Sequence, residues 1–340
     1  MTEQTAIHAI VQDMNSPREG VFAGISNSAY HHGPGVSKSG LDLIRRSPMH
    51  YRHALTVSRE PTPDQRIGTL AHALILEPET VWDNYASPFV APEGALATVE
   101  EIKERLKGLG LPISGRKAEL AARLLDADPS IILLDDARAT HAAAVGDRAI
   151  VSAEEMAQAE AIRDAVMAHP AAGKLLAPCA GVAELSAYWR DPETGVLCRC
   201  RPDFWRHDGI VVDLKTARDA GPEGFSRSIL GWRYHAQAAF YLDGITRARA
   251  AGGIDMPAPR AFVFVGVEKT APYAVGVYTL DTQSIAIGRR EYREDLDTYA
   301  ECMGSGVWPG YGDKIQPISL PEWRLRQDDY ANAEQEVYAA

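Results

Sequence analysis

The segment running from residue 201 to 217, RPDFWRHDGIVVDLKTA, constrains the fold more tightly than any other part of the chain. His207-Asp208-Gly209 is a tight-turn sequence between two runs rich in aromatic and β-branched residues, which is the pattern of a β-hairpin. If the loop is residues 207 to 209, Arg206 pairs with Ile210, and the same register sets Asp203 opposite Asp213, about 4.5–5.5 Å apart at Cβ. Like charges opposed in this way destabilise a sheet, so the register needs a reason. Lys215 lies two residues beyond Asp213 and so shares its face. Two hard oxygen donors with room for water and phosphate suit Mg²⁺ or Mn²⁺ rather than zinc. A lysine beside them can orient an attacking water or stabilise charge developing on a phosphate. The alternative is a solvated Asp–Lys ladder. Phe204, Trp205, Val211 and Val212 flank the carboxylates, however, and make the strands half-buried.

The hairpin belongs to a larger pattern. VAELSAYWR, GVLCRCRPDFWR and GIVVDLKTA read as a three-stranded meander whose loops are DPETG and HDG. With DPETG centred on Glu193, Glu184 opposes Pro202 and not Asp203. A long helix over roughly 224–250 follows, then strands in AFVFVGVEK and YAVGVYTL, then a closing helix from Asp281. Upstream, a helix enters at Ser37 or Ser39 and is interrupted at Ser47-Pro48, and DQRIGTLAHALILEPE forms a second. Residues 86–96 are a Pro/Ala/Gly linker. Beyond it a helical hairpin begins at Thr98 with a capping box to Glu101, and its second helix opens at Ser114 or Gly115. From 131 to 177 the chain continues helical, with a cap at Ser152 and Glu155. This order predicts an α/β fold with a mixed sheet.

Composition narrows the function. The 340 residues carry a formal charge of −11, with 46% apolar and 24% charged residues, which is the balance of an ordinary globular chain. Such a charge argues against coating nucleic acid by bulk electrostatics, though not against DNA as a substrate. No run of about 18 apolar residues is present. The opening MTEQTAIHAIVQDMNSPREG lacks the basic start and apolar core of a signal peptide. Four cysteines are too few and too scattered for a disulfide framework, so a cytoplasmic protein with reduced thiols is expected.

In the order of its motifs the chain resembles the PD-(D/E)XK nuclease superfamily, in the RecB-like branch and especially exodeoxyribonuclease VIII of the RecE type. The resemblance runs through YHHGPGVSKSGLDLIRRSPMHYRHAL, RIGTLAHALILEPE, ETGVLCRCRPDFW, VVDLKTA and YHAQAAFYLDG, most of the chain outside residues 90–160. It implies a restriction-endonuclease-like core with a mixed central sheet flanked by helices. It implies that His72, Asp203, Asp213 and the peptide oxygen of Leu214 hold Mg²⁺ or Mn²⁺, and that Lys215 is the catalytic lysine. A histidine on an apolar helix is ordinarily a packed core residue, but here Gly68 and Thr69, one turn earlier, leave room for a close neighbour. Gln237 and Tyr241 match a Gln-x-x-x-Tyr element; four apart on a helix, they share a face and could steer a phosphate or the DNA end. Glu184 matches an acidic residue on the first strand that touches metal or water in many relatives, and so is a further candidate metal ligand. Cys179, Cys198, Cys200 and Cys302 depart from the one-early, three-late spacing of the iron–sulfur relatives and read as core packing.

Within the hairpin, EEIKERLKGLGLPISGRKAELAARL resembles a SAP motif, a small helical DNA-binding module. This implies sequence-independent phosphate contacts from Lys103, Lys107, Arg116, Lys117 and Arg123; the plain alternative is a hairpin that merely packs. The expected organisation is a nuclease domain of residues 1–95 and 130–340, interrupted by the SAP-like insert at 96–129. The resemblance implies a metal-dependent exonuclease that resects linear double-stranded DNA for phage-type recombination. It also implies double-stranded DNA ends as substrate, a single-strand-annealing recombinase as partner, a ring-like homo-oligomer and no membrane. The competing readings are an endonuclease or single-strand nuclease on the same core, and a non-catalytic SAP-type DNA-binding recombination accessory.

Overall fold

The computed structural model describes residues 18–57 and 60–322. Most of the N-terminal stretch read above for a leader signature lies outside the described residues. Among them, no helix is long and apolar enough to cross a membrane.

The strands are β1 (Gly20–Phe22), β2 (Tyr85–Ala86), β3 (Ala149–Ile150), β4 (Gly181–Ala183), β5 (Ser186–Arg190), β6 (Leu197–Cys200), β7 (Phe204–Arg206), β8 (Ile210–Ala217), β9 (Ala261–Glu268) and β10 (Val275–Thr279). Five form the central sheet in the order β10-β9-β8-β7-β4, and β1-β5-β6 form a second. The central sheet is mixed. β8 and β9 run parallel from Ile210↔Ala261 to Ala217↔Glu268, while β7/β8, β4/β7 and β9/β10 are antiparallel. Parallel neighbours need a crossover; the helices Pro222–Gly231 and Tyr234–Ala251 supply it.

Alternation along β8 sorts its side chains between two apolar layers. Val212 and Leu214 pack with Leu70, Leu74 and Ile75 of helix Pro63–Leu76 and Ile162 and Val166 of helix Ala153–Ala168. Val211 joins Trp189, Trp205, Ala239, Phe240, Phe264 and Leu296 on the other side, beneath helices Tyr234–Ala251 and Thr282–Ser305. Cys198 and Cys200 are buried in this second layer. The mixed sheet flanked by helices is the fold class that the sequence indicated.

Two long strands of the expected meander are each broken into two. Glu184 is left-handed at φ 53° and separates β4 from β5. Opposite Leu185, Pro202 has no N–H to give a ladder, and the chain leaves regular pairing between β6 and β7. One half of each strand therefore lies in the central sheet and the other in the second sheet, and the two sheets part at Glu184 and Asp203. The expected register of this pair also needs correction. Arg190 pairs with Leu197, Ala187 with Cys200 and Ala183 with Phe204, which centres the turn between Glu193 and Thr194. The same alignment sets Glu184 across from Asp203, joined by the Glu184 N–H to the Asp203 carbonyl at 3.1 Å. The single helix expected over 224–250 is interrupted at Trp232 and Arg233, where Arg233 adopts φ 54°.

The caps fall close to where the sequence puts them. Ser37 caps Lys38–Arg46, Ser47 caps Pro48–Ala54, and Thr98–Glu101 and Ser152–Glu155 are capping boxes. The inserted hairpin consists of Val99–Gly108 and Lys117–Ala127, the latter starting two to three residues later than expected. Ile102, Leu106, Leu120, Leu124 and Leu133 form a small apolar cluster of its own. A bridge between Leu96 and Leu133 ties the ends of this segment together.

Candidate active site

The hairpin that sets the site has the register read from its turn. Trp205 pairs with Val211 and Phe204 with Val212, and the ladder ends one residue short of Asp203 and Asp213. Instead of facing Asp213 in a regular pair, Asp203 turns its Oδ2 onto the Leu214 N–H at 2.6 Å. Asp213 is 1% exposed. Its Oδ1 accepts from Gln237 Nε2 at 2.6 Å, and its Oδ2 lies 2.5 Å from Lys215 Nζ. His72 reaches in from helix Pro63–Leu76, with Nδ1 3.6 Å from Asp203 Oδ2. Gly68, one turn earlier, makes that approach possible: a Cβ there would stand 3.0 Å from the Thr216 hydroxyl on β8.

The titration of these groups follows from burial and mutual charge. Burial pushes the Asp213 carboxyl up to about 6, with Asp203 adding to the rise and Lys215 opposing it. Burial likewise lifts Asp203, against Lys215 and the Leu214 N–H. Lys215 is desolvated, yet Asp213 and Asp203 hold its ammonium above the ordinary lysine range. Burial and the charge of Lys215 take His72 down to about 4. The imidazole is therefore neutral at physiological pH and keeps a lone pair for a ligand.

Glu184 sits at the same junction of sheets. Burial, with Asp203 second, raises it to about 8 against the pull of Arg201, whose Nη1 lies 3.8 Å from the Glu184 carboxylate. Arg201 is itself a buried residue that the sequence reading passed over. It donates to Ser186 Oγ and the Ile25 carbonyl, both at 2.9 Å, and lies 4.1 Å from the Tyr30 ring centroid. The available signal was the alternation Cys198-Arg199-Cys200-Arg201, in which arginines recur in a strand too apolar for a solvated face. Lys38 and Tyr234 were also missed: Lys215 Nζ is 4.9 Å, and Lys38 Nζ 6.0 Å, from the Tyr234 ring centroid.

The other expected residues divide. Gln237 is buried and turned to Asp213, so it holds a carboxylate instead of facing a phosphate. Tyr241, one turn on, is half-buried, with its ring 6.0 Å from that of Phe262. In the inserted hairpin Lys107 and Arg116 are exposed and Lys103 half-exposed. Lys117 is spent on Asp135 at 2.6 Å and the Ala97 carbonyl at 3.1 Å, and Arg123 on the carbonyls of Pro112 and Ser114.

A mixed sheet with an aspartate just ahead of one strand, an Asp-x-Lys on the adjacent strand and a histidine from the covering helix defines a PD-(D/E)XK-type nuclease fold. The chain belongs to the family of the PDDEXK-like domain of unknown function (DUF3799), whose model matches residues 37–321. It is similar in fold to a crystal structure from Eubacterium rectale of a protein provisionally described as an exonuclease. The two share 12% sequence identity at a TM-score of 0.50, over 88% of this chain and 97% of the other. No curated protein compared with the chain matches it.

The fold implies a divalent metal, and the donors suit one. Asp203, Asp213 and the Leu214 carbonyl are hard oxygens, and His72 is neutral. Asp213 Oδ2 is buried, and the cation that meets it is the Lys215 ammonium at 2.5 Å. As they stand, no three His, Cys, Asp or Glu side chains among the described residues are gathered closely enough to hold an ion. Lys215 and the Leu214 N–H occupy the carboxylates instead. The donor chemistry fits; the side chains must turn to use it.

Proposed function

We propose that the chain is a metal-dependent exonuclease of the RecE type that degrades linear double-stranded DNA and leaves single-stranded tails for recombination. The observation that carries this reading is the meeting of Asp203, Asp213 and Lys215 beside His72, at the point where the two sheets part. In this reading His72, Asp203, Asp213 and the Leu214 carbonyl, with Glu184 alongside, hold Mg²⁺ or Mn²⁺. The ion supplies Lewis-acid charge at the scissile phosphate and lowers the pKa of a water. Lys215, kept protonated by its two carboxylates, stabilises charge as it develops on the phosphate oxygens. Gln237 fixes the Asp213 carboxylate, and Tyr241 stands one turn further along the same helix. DNA ends are the substrate, with a single-strand-annealing protein and a ring-like homo-oligomer as the expected partners.

Purified protein incubated with linear and closed-circular duplexes is expected to degrade only the linear form, with Mg²⁺ and not with EDTA. Nicked circles would make it an endonuclease, and a mobility shift without cleavage would make it a binding protein.

We also assign the SAP-like hairpin to sequence-independent DNA binding, through Lys103, Lys107 and Arg116, since Lys117 and Arg123 are held within the protein. The triple variant Lys103→Glu, Lys107→Glu, Arg116→Glu is expected to bind DNA more weakly, with a log–log salt dependence shallower by roughly three. An unchanged slope in a binding titration would remove the hairpin from the interface.

A further inference from the structure

Lys38 opens the helix Lys38–Arg46 with its side chain only 12% exposed. Its ammonium lies 2.7 Å from Asp42, donates to the Trp232 carbonyl at 2.6 Å and stands 6.0 Å from the Tyr234 ring centroid. Lys215 approaches that same ring to 4.9 Å. Two lysines thus converge on one tyrosine, and Asp42 is shared with Arg233 at 2.9 Å. Burial, together with the charges of Lys215 and Arg233, brings Lys38 below the ordinary lysine range despite Asp42. A lysine needed only to tie Asp42 could remain in water. Asp42 and the Trp232 carbonyl engage two of the three N–H donors of its ammonium, which leaves one for a further anion.

The chain that Lys38 grips has a second peculiarity. Between helices Pro222–Gly231 and Tyr234–Ala251 it turns through Trp232 into the left-handed Arg233, and the turn leaves Trp232 68% and Leu230 73% exposed. The backbone of Trp232 is pinned by Lys38 while its indole stands in solvent. An exposed aromatic ring on a backbone that a lysine holds is the combination that single-stranded nucleic acid uses, with bases on the rings and phosphates on the cations.

We infer that Lys38, Tyr234 and Trp232 form a nucleotide subsite next to Lys215, in which Lys38 takes a backbone phosphate and a base stacks on Trp232. The inference rests on the nuclease reading of the Lys215 cluster and extends it to how the strand is held. Stacking accepts any base, so the subsite grips without reading sequence.

The test is fluorescence anisotropy of a labelled duplex with a single-stranded tail, with Ca²⁺ in place of Mg²⁺ to hold back cleavage, beside degradation of linear DNA with Mg²⁺. Trp232→Ala is expected to weaken binding about tenfold, and Trp232→Phe to recover most of it. Lys38→Gln is expected to weaken binding and to lower the log–log salt slope by about one. If both variants bind as the unaltered protein does while that protein still degrades linear DNA, the subsite is wrong and the nuclease reading stands. A loss in Trp232→Ala that Trp232→Phe does not recover also overturns the stacking. An unaltered protein that neither binds nor cuts DNA overturns both.

Discussion

Replacing Lys215 with methionine is expected to slow the degradation of linear DNA by about 10²–10³-fold or more, the scale on which single charge-stabilising groups act in a water-poor site. The same change is expected to make folding depend on metal. Asp213 is 1% exposed and has Lys215 as its ion-pair partner at 2.5 Å, with Asp203 close enough to raise its pKa further. Taking away the cationic partner of a buried carboxylate costs about 3–5 kcal/mol. A divalent ion bound by the two aspartates would restore the missing charge. Lys215→Met is therefore expected to melt well below the unaltered protein in EDTA, and to gain more in melting temperature from added Mg²⁺. Thermal melts of both proteins with and without Mg²⁺ decide it. If Mg²⁺ raises the two melting temperatures equally, Lys215 is not what balances these carboxylates, and a variant that still degrades DNA at the full rate removes Lys215 from the chemistry.

The part of this site that was legible in the sequence is the part fixed by local rules. His207-Asp208-Gly209 dictates the loop, the loop dictates that Trp205 meets Val211, and Lys215 follows Asp213 onto one face by the two-residue period of a strand. The DPETG loop was harder. Asp191 Oδ1 accepts from the backbones of Glu193 and Thr194 and from the Thr194 hydroxyl, and Gly195 takes a left-handed φ of 69°. That side-chain cap moves the turn's centre by half a residue, which moves Glu184 from Pro202 to Asp203. No composition rule carries that information, because it depends on which backbone groups one aspartate captures. The break at Arg233 was hidden for a similar reason. Arginine in a helical run is ordinarily helical, and the three carboxylates that meet the left-handed Arg233 come from other helices, distant in sequence. Gln237 was placed on the right helix, but its partner lies 24 residues away, and four-residue spacing says which residues share a face without saying what that face meets.

Arg233→Met is expected to cost about 3–5 kcal/mol of stability, a fall in melting temperature of roughly 4–7 °C for a chain of this size. The guanidinium is 16% exposed and holds Asp42 at 2.9 Å, Glu291 at 3.1 Å and Asp295 at 2.6 Å, so it clamps helices Lys38–Arg46 and Thr282–Ser305 to the start of Tyr234–Ala251. Its three carboxylates are not equal. Asp42 keeps Lys38 and Glu291 keeps His235, but Asp295, 2% exposed, is left with Arg45 at 3.5 Å, itself partly in water. Burial already lifts the Asp295 carboxyl above its usual range with Arg233 in place, so the stranded charge at Asp295 is where most of the cost should fall. Arg233→Lys should recover little, because one ammonium cannot present the fork that three carboxylates share. The decisive measurement is a double-mutant cycle by thermal or urea unfolding. Arg233→Met combined with Asp295→Leu should lose less than the sum of the two single changes, by roughly 1 kcal/mol or more, since the second change removes the charge that the first stranded. Strict additivity would mean that Arg233 stabilises the fold chiefly through Asp42 and Glu291.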